Sequence, residues 1–204
     1  MENFLIQKKL LRQVFNSKRM SLSSDEVRQE SQKINQNFLQ NLLPKIYCKK
    51  SNYTFSLYLP SYNEVSNDLI LRHFKKNKIQ FCYPKITQKN SALDFILYEN
   101  GQSFVKNEFY SKIIEPINGK KKNPDFLILP LVAFDAELSR LGMGGGFFDR
   151  TIENLKNQNL KITTIGLAYD FQGFDKILPT EKTDQKLDFI VTQNSVFCRK
   201  SSLC

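Results

Sequence analysis

Phe4, Leu5, Lys8, Leu11, Arg12 and Phe15 fall at three- and four-residue intervals at the start of the chain, with Lys8 and Arg12 on one face, one turn apart. That spacing predicts an amphipathic helix. Ser23 followed by Glu26 is a capping-box pattern. It predicts a second helix carrying Val27, Ile34, Phe38, Leu42 and Leu43, ended by Pro44. The pattern then shortens. Residues 53–59 (YTFSLYL) read as a strand, Pro60 to Asn63 as a loop, and Asp68 to Lys76 as a helix. Ile79 to Tyr83 reads as a second strand stopped by Pro84, and Leu93 to Tyr98 as a third.

Phe126 to Leu129 (FLIL) is a short apolar run of the kind found in strands buried on both faces. A loop ending in glycines follows, then a helix over Phe147–Asn157. Further strands are expected at Ile162–Ala168, Leu187–Thr192 and Val196–Arg199. Strands alternating with helices predict an α/β fold with a mainly parallel sheet covered on both faces. One domain over residues 1–204 is expected.

Composition narrows the class. Hydrophobic residues make up 41% of the 204, with 17 Phe, enough for one core, so most of the chain is expected to be ordered. The net charge is +10, but the lysines are scattered. The densest runs, Lys49-Lys50, Lys75-Lys76 and Lys120-Lys121-Lys122, fall short of the roughly five like charges that mark an interaction tail. A basic nucleic-acid-binding protein is the alternative that this charge motivates. No stacking motif or recognition-helix pattern favours it, so no nucleic acid is expected. Cys48, Cys82, Cys198 and Cys204 form no C-x-x-C pair and read as free thiols. No apolar run suits a signal peptide or a bilayer span, so the expectation is a cytoplasmic protein, monomeric and without a membrane partner. His73, the single histidine, reads as an exposed helical residue.

Chemistry concentrates in Pro130–Arg150, PLVAFDAELSRLGMGGGFFDR. A buried strand leads into Gly142, Gly144, Gly145 and Gly146, and a helix starts at Phe147, Phe148 and Asp149. Glycines let backbone N–H groups approach an anion, and a helix N-terminus adds a favourable field. Arg140 can pair with phosphate oxygens, and Asp149 can hold a metal that bridges them. The segment lacks the Gly-Lys-Ser/Thr ending of a P-loop. It also misses the dinucleotide fingerprint, because its first glycine is not expected to follow a strand directly.

The stretch Ala133-Phe134-Asp135, then Arg140-Leu141-Gly142-Met143-Gly144-Gly145-Gly146-Phe147-Phe148-Asp149-Arg150, resembles the signature of the 5-formyltetrahydrofolate cyclo-ligase family. Weaker matches follow in order along the chain: Lys8 with Arg12, Leu59 with Glu64-Val65-Ser66-Asn67, Pro84, Glu115-Pro116, and Asp184 through Asp188. The resemblance implies a three-layer α/β/α fold with a mainly parallel central sheet, like sugar-phosphate isomerases and CoA transferases. It implies ATP- and Mg²⁺-dependent conversion of 5-formyltetrahydrofolate to 5,10-methenyltetrahydrofolate, without a covalent enzyme intermediate. Lys8, Arg12 and the loop from Arg140 through Leu141, Gly142, Met143, Gly144, Gly145 and Gly146 to Phe147 and Phe148 would hold ATP. Leu59 and Glu64 would hold folate, with Met143 to Phe147 lining both sites. Asp149 and Asp184 would ligate Mg²⁺. The chain departs from many relatives at Phe147 and Phe148, where Tyr is frequent, at Met143, where Tyr or Arg is more usual, and at Thr183, where His is common. A catalytically weakened relative is the alternative those departures motivate.

Overall fold

The computed structural model describes residues 2–47 and 52–199. Cys48, Lys49, Lys50 and Cys204, singled out above, lie outside them. Helix α1 spans Glu2–Met20 and α2 spans Ser24–Asn37. The capping box forms as expected: the Glu26 N–H donates to Ser23 Oγ at 3.2 Å, and Glu26 Oε2 accepts from the Ser23 N–H at 2.8 Å. Pro44 does not end the helical run. A π-helical turn, Phe38–Leu42, carries it into a short α3, Leu43–Ile46, with Pro44 in the first turn of α3. Proline has no N–H and its ring crowds the preceding turn, and the wider π turn accommodates both.

The sheet strands follow: β1 (Thr54–Ser56), then α4 (Asp68–Lys76), β2 (Gln80–Lys85) and β3 (Asp94–Leu97). Pro84 does not stop β2 but lies within it, opposite Phe95 of the edge strand β3. The antiparallel pair tolerates proline near the strand end. Two short hairpins, β4 (Phe104–Lys106) with β5 (Ile114–Pro116) and β7 (Ala133–Phe134) with β8 (Arg140–Leu141), flank β6 (Phe126–Pro130). The chain then passes through α5 (Phe147–Asn157), β9 (Thr163–Leu167), β10 (Phe189–Val191) and β11 (Val196–Cys198). The seven-stranded sheet runs β11-β10-β9-β6-β1-β2-β3. The five inner strands are parallel, and both edge strands are antiparallel to their neighbours.

Both faces of the sheet are covered, as the short apolar runs require. In β6, Phe126 and Ile128 face the cluster that includes Ile34, Phe38, Ile70 and Phe74 from α2 to α4. Leu127 and Leu129 face the opposite cluster, with Ile152 and Leu155 of α5. The β1–α4–β2 unit moves across the sheet one way and β6–α5–β9 the other. Crossovers of one hand therefore place α4 and α5 on opposite faces. The Lys120–Lys122 segment runs beside β3, where Lys122 N–H donates to Phe95 O at 3.0 Å and Lys121 pairs with Asp94 at 2.6 Å. His73 is half-buried rather than exposed. Cys82 is a buried free thiol and Cys198 an exposed one. Among the described residues, no helix is long and apolar enough to cross a membrane.

Candidate functional site

A cavity of about 900 Å³ opens at the carboxyl ends of the inner strands. Chain order runs outward from β1 on one side and from β6 on the other, so the direction of winding reverses between these neighbours. Such a switch point leaves a crevice that α/β proteins use for ligands. Leu59 and Glu64 enter the cavity just past β1, and Leu131 just past β6. Lys8 and Arg12 of α1, the whole Arg140–Asp149 stretch and Asp184 complete it. Every residue expected from sequence to bind ATP, folate or metal thus lines one cavity.

The glycine loop leaves β8 directly, contrary to the sequence expectation that no strand precedes Gly142. The strand is only two residues long and pairs with β7 outside the main sheet, so the dinucleotide-binding βαβ context is still missing. Gly144 (φ +104°) and Gly146 (φ +63°) adopt backbone conformations that other residues rarely take. Gly146 caps α5, whose first N–H groups have no intrahelical partners and point toward the loop. Arg12 Nε donates to Gly142 O at 2.9 Å and so ties α1 to the loop.

Charged side chains are buried around this loop. Lys8, on a face that sequence alone would leave in solvent, is only 4% exposed. Its Nζ donates to Glu181 Oε2 at 2.8 Å and Asp184 Oδ2 at 2.6 Å. Burial alone would lower its pKa, but these two carboxylates outweigh burial and hold it above the ordinary lysine value. Leu5, Ile6, Leu10 and Val14 of the same helix stay exposed, while Lys8, Arg12 and Arg19 turn inward beside Leu11 and Phe15, so the buried face is mixed. Arg140, 7% exposed, donates from Nη2 to Asp149 Oδ1 at 2.7 Å, while its buried Nε has no partner among the described residues. Glu64, also 7% exposed, accepts the Ser61 N–H at 3.0 Å and the Ser61 hydroxyl at 3.3 Å, both on Oε2. Burial pushes its carboxyl above the usual range, against the opposing pull of Ser61 and Arg19.

The donor chemistry suits a small divalent cation. Asp149 receives Arg140 and the Gln185 N–H on Oδ1, and Asp184 receives Lys8 and the Glu181 N–H on Oδ2. Among the described residues no three His, Cys, Asp or Glu side chains form a complete cation cage. Two carboxylates supplemented by phosphate oxygens and water match the habit of Mg²⁺, which rarely uses an all-protein cage.

The sequence profile of the 5-formyltetrahydrofolate cyclo-ligase family matches residues 6–193. The chain belongs to this family. A 5-formyltetrahydrofolate cyclo-ligase of Mycoplasma pneumoniae is 34% identical over 187 residues, covering 91% of this chain and 98% of the relative. A solved 5,10-methenyltetrahydrofolate synthetase of the same organism superimposes with a TM-score of 0.70 at 31% identity, covering 91% of this chain and 98% of that one. The synthetase of Aquifex aeolicus gives a TM-score of 0.76 at 29% identity, covering 95% and 93%. This cyclo-ligase family member is accordingly an enzyme of the ligase class, with folate as its metabolic setting.

Parts of the cyclo-ligase cavity carry no mark in the sequence. Segment 109–115 forms one wall, where the Tyr110 ring meets Phe147 edge-on at 5.6 Å. Asn107 anchors that wall: its Nδ2 donates to Ile86 O (3.1 Å) and Glu115 Oε2 (2.9 Å), and its Oδ1 accepts the N–H groups of Phe109 and Tyr110. Glu115 was visible only as half of the Glu-Pro match. Arg19, Asn107 and Glu181 stand in no motif and become evident only from their partners.

Proposed function

We propose that this chain converts 5-formyltetrahydrofolate to 5,10-methenyltetrahydrofolate with cleavage of ATP to ADP and phosphate. The observation that carries the reading is the convergence of Lys8, Arg12, Arg140 and the glycine loop with the buried carboxylate of Glu64 in one cavity. One end is built for a polyanion and the other for a hydrogen-bond-donating ring.

The formyl group on N5 is an amide, and its oxygen is a poor leaving group. The formyl oxygen attacks the terminal phosphorus of ATP and ADP departs. N10 then attacks the activated carbon, loses its proton, and expels phosphate as the five-membered ring closes. Phosphoryl transfer needs alignment and charge neutralisation rather than covalent help. Lys8, Arg12 and Arg140 supply positive charge, and Arg140 Nε is a buried donor with no acceptor among the described residues. The N–H groups of the loop and of the first turn of α5 cradle the phosphates. Asp149 and Asp184 would hold Mg²⁺, which when bound neutralises charge on the phosphate oxygens. Glu64 accepts hydrogen bonds from the aminopyrimidine edge of the pterin. The aromatic faces of Phe147 and Phe148 remain for ring contact, without the hydroxyls of tyrosine. Holding N10 beside the carbon accounts for the ring closure.

The test is a titration of purified protein with 5-formyltetrahydrofolate, with and without Mg-ATP, followed by absorbance of the methenyl product. The chromophore should appear only when both substrates and the metal are present. A folded protein that yields none overturns the proposal.

A further inference from the structure

Three cations and three carboxylates meet between α1, the glycine loop and the turn at Glu181–Asp184: Lys8, Arg12 and Arg140 against Asp149, Glu181 and Asp184. Lys8 is bonded to Asp184 at 2.6 Å and to Glu181 at 2.8 Å, and Arg140 to Asp149 at 2.7 Å. The two pairs are joined, because the N–H of Gln185, next to Asp184, donates to the same Asp149 oxygen that Arg140 uses. Lys8 and Arg140 are almost completely buried, and Asp149 and Asp184 mostly so. Each pair therefore couples a side chain suited to phosphate with one suited to a divalent cation, and these six charges cancel. Arg150, which donates to Gly145 O, and Glu153 add one charge of each sign to the same cavity wall.

Neutrality has a cost for either ligand arriving alone. A divalent cation on Asp149 and Asp184 strips Lys8 and Arg140 of their partners and leaves two buried positive charges facing a third. A triphosphate on Lys8 and Arg140 leaves two carboxylates facing a polyanion. Breaking one side of a buried pair is strongly unfavourable, because the other side keeps its charge without compensation. When both ligands arrive, every group exchanges its partner for one of the same sign. Lys8 and Arg140 trade carboxylate for phosphate, and the aspartates trade ammonium and guanidinium for metal.

We propose that Lys8–Asp184 and Arg140–Asp149 form a double charge lock that makes metal binding and nucleotide binding depend on each other. The proposal rests on the reading of this cavity as a nucleotide site. It concerns the chain's own ion pairs and is testable without turnover.

The probe for metal is Mn²⁺ followed by electron paramagnetic resonance in the absence of nucleotide. Wild-type protein should bind it feebly. Lys8→Met frees Asp184 and Glu181, and should bind Mn²⁺ about tenfold tighter or more, within the usual range of coupling between sites. Lys9→Met removes the same charge from the exposed neighbouring position and should change nothing. In the converse arm, Asp184→Asn should bind metal-free ATP, measured by calorimetry in EDTA, about tenfold tighter than wild type while binding its Mg²⁺ complex more weakly. A melting curve matching wild type shows that a gain of binding belongs to the folded protein and not to carboxylates exposed by unfolding. If wild type binds Mg-ATP but Lys8→Met gains no affinity for Mn²⁺, or Lys9→Met gains as much, the lock is wrong and the nucleotide site stands. If wild type binds ATP neither with metal nor without it, both readings fail.

Discussion

Arg19, in the last turn of α1, reaches the glycine loop: its Nη2 lies 3.6 Å from Sδ of Met143, while Nη1 donates to Leu131 O at 3.2 Å. The residue is 1% exposed, its Nε has no partner among the described residues, and burial lowers its pKa, opposed chiefly by the charge of Glu64. Tyr58 and Tyr169 lie close enough to feel the Glu64 charge, but burial is the main cause that pushes their phenols up, and they stay neutral. Arg19 is thus the positive charge that opposes protonation of Glu64. Arg19→Met should drive the Glu64 carboxyl further up. Folate binding would then weaken as pH falls from neutrality, at a pH where wild type still binds. Arg19→Lys should restore most of the wild-type profile. Binding followed by fluorescence quenching across pH reads this directly, and parallel profiles for Arg19→Met and wild type would remove Arg19 from the folate site.

The inner strands and helices were readable in sequence because each carries its own periodicity. Phe126–Leu129 and Asp68–Lys76 needed no tertiary information to be seen. The hairpins β4–β5 and β7–β8 have strands of two or three residues outside the main sheet, whereas β1 and β10, only three residues long, sit within the longer runs 53–59 and 187–192 that marked them. Pro44 and Pro84 misled because a π turn and an antiparallel edge pair accommodate what a regular helix or central strand would not. At the site, the glycine segment was legible because chemistry and spacing coincide over consecutive residues. Lys8 gave no sign of its burial, since its partners Glu181 and Asp184 lie more than 170 residues away. Long-range ion pairs leave no local pattern.

Glu64 should show a conflict between binding and stability. Burial holds its carboxyl above the unfolded value, so the native state binds the proton more tightly. The stability this contributes is complete below the ordinary carboxylate range and is lost as pH rises through the folded value. Glu64→Gln should therefore unfold at higher urea than wild type at neutral pH, with the gap closing in acid. Folate affinity at neutral pH should fall by roughly 10- to 100-fold, the worth of hydrogen bonds to a charged acceptor. A variant that is no more stable at neutral pH than in acid, relative to wild type, would contradict the burial argument.

Asn107→Ala removes four hydrogen bonds at once and leaves the Glu115 carboxylate, among the described residues, with only the Ile86 N–H. Loss of a buried hub of this kind should destabilise the fold by about 3 kcal/mol. For a chain of this length that lowers Tm by about 10 °C. Because Asn107 positions the wall carrying Tyr110, the KM for folate should rise while the KM for ATP changes little. Equal increases in both would place the effect in global loosening instead.

Gly144→Ala tests the glycine loop by its backbone alone. A methyl group at residue 144 would sit 3.5 Å from Cζ of Arg12, an ordinary contact, so no clash complicates the reading. The penalty comes from φ +104°, a conformation outside the broad basins open to alanine, and is worth about 1–2 kcal/mol. The loop is exposed at this position and can relax in the free protein, so little of that penalty should appear in Tm. It should appear on binding, when the N–H groups must return to the arrangement that cradles phosphate. The expected result is ATP affinity about tenfold weaker, within what that strain supplies, with thermal stability near wild type. Calorimetric titration with Mg-ATP measures the first and a melting curve the second. Unchanged affinity would mean that the loop does not hold the phosphates in this conformation.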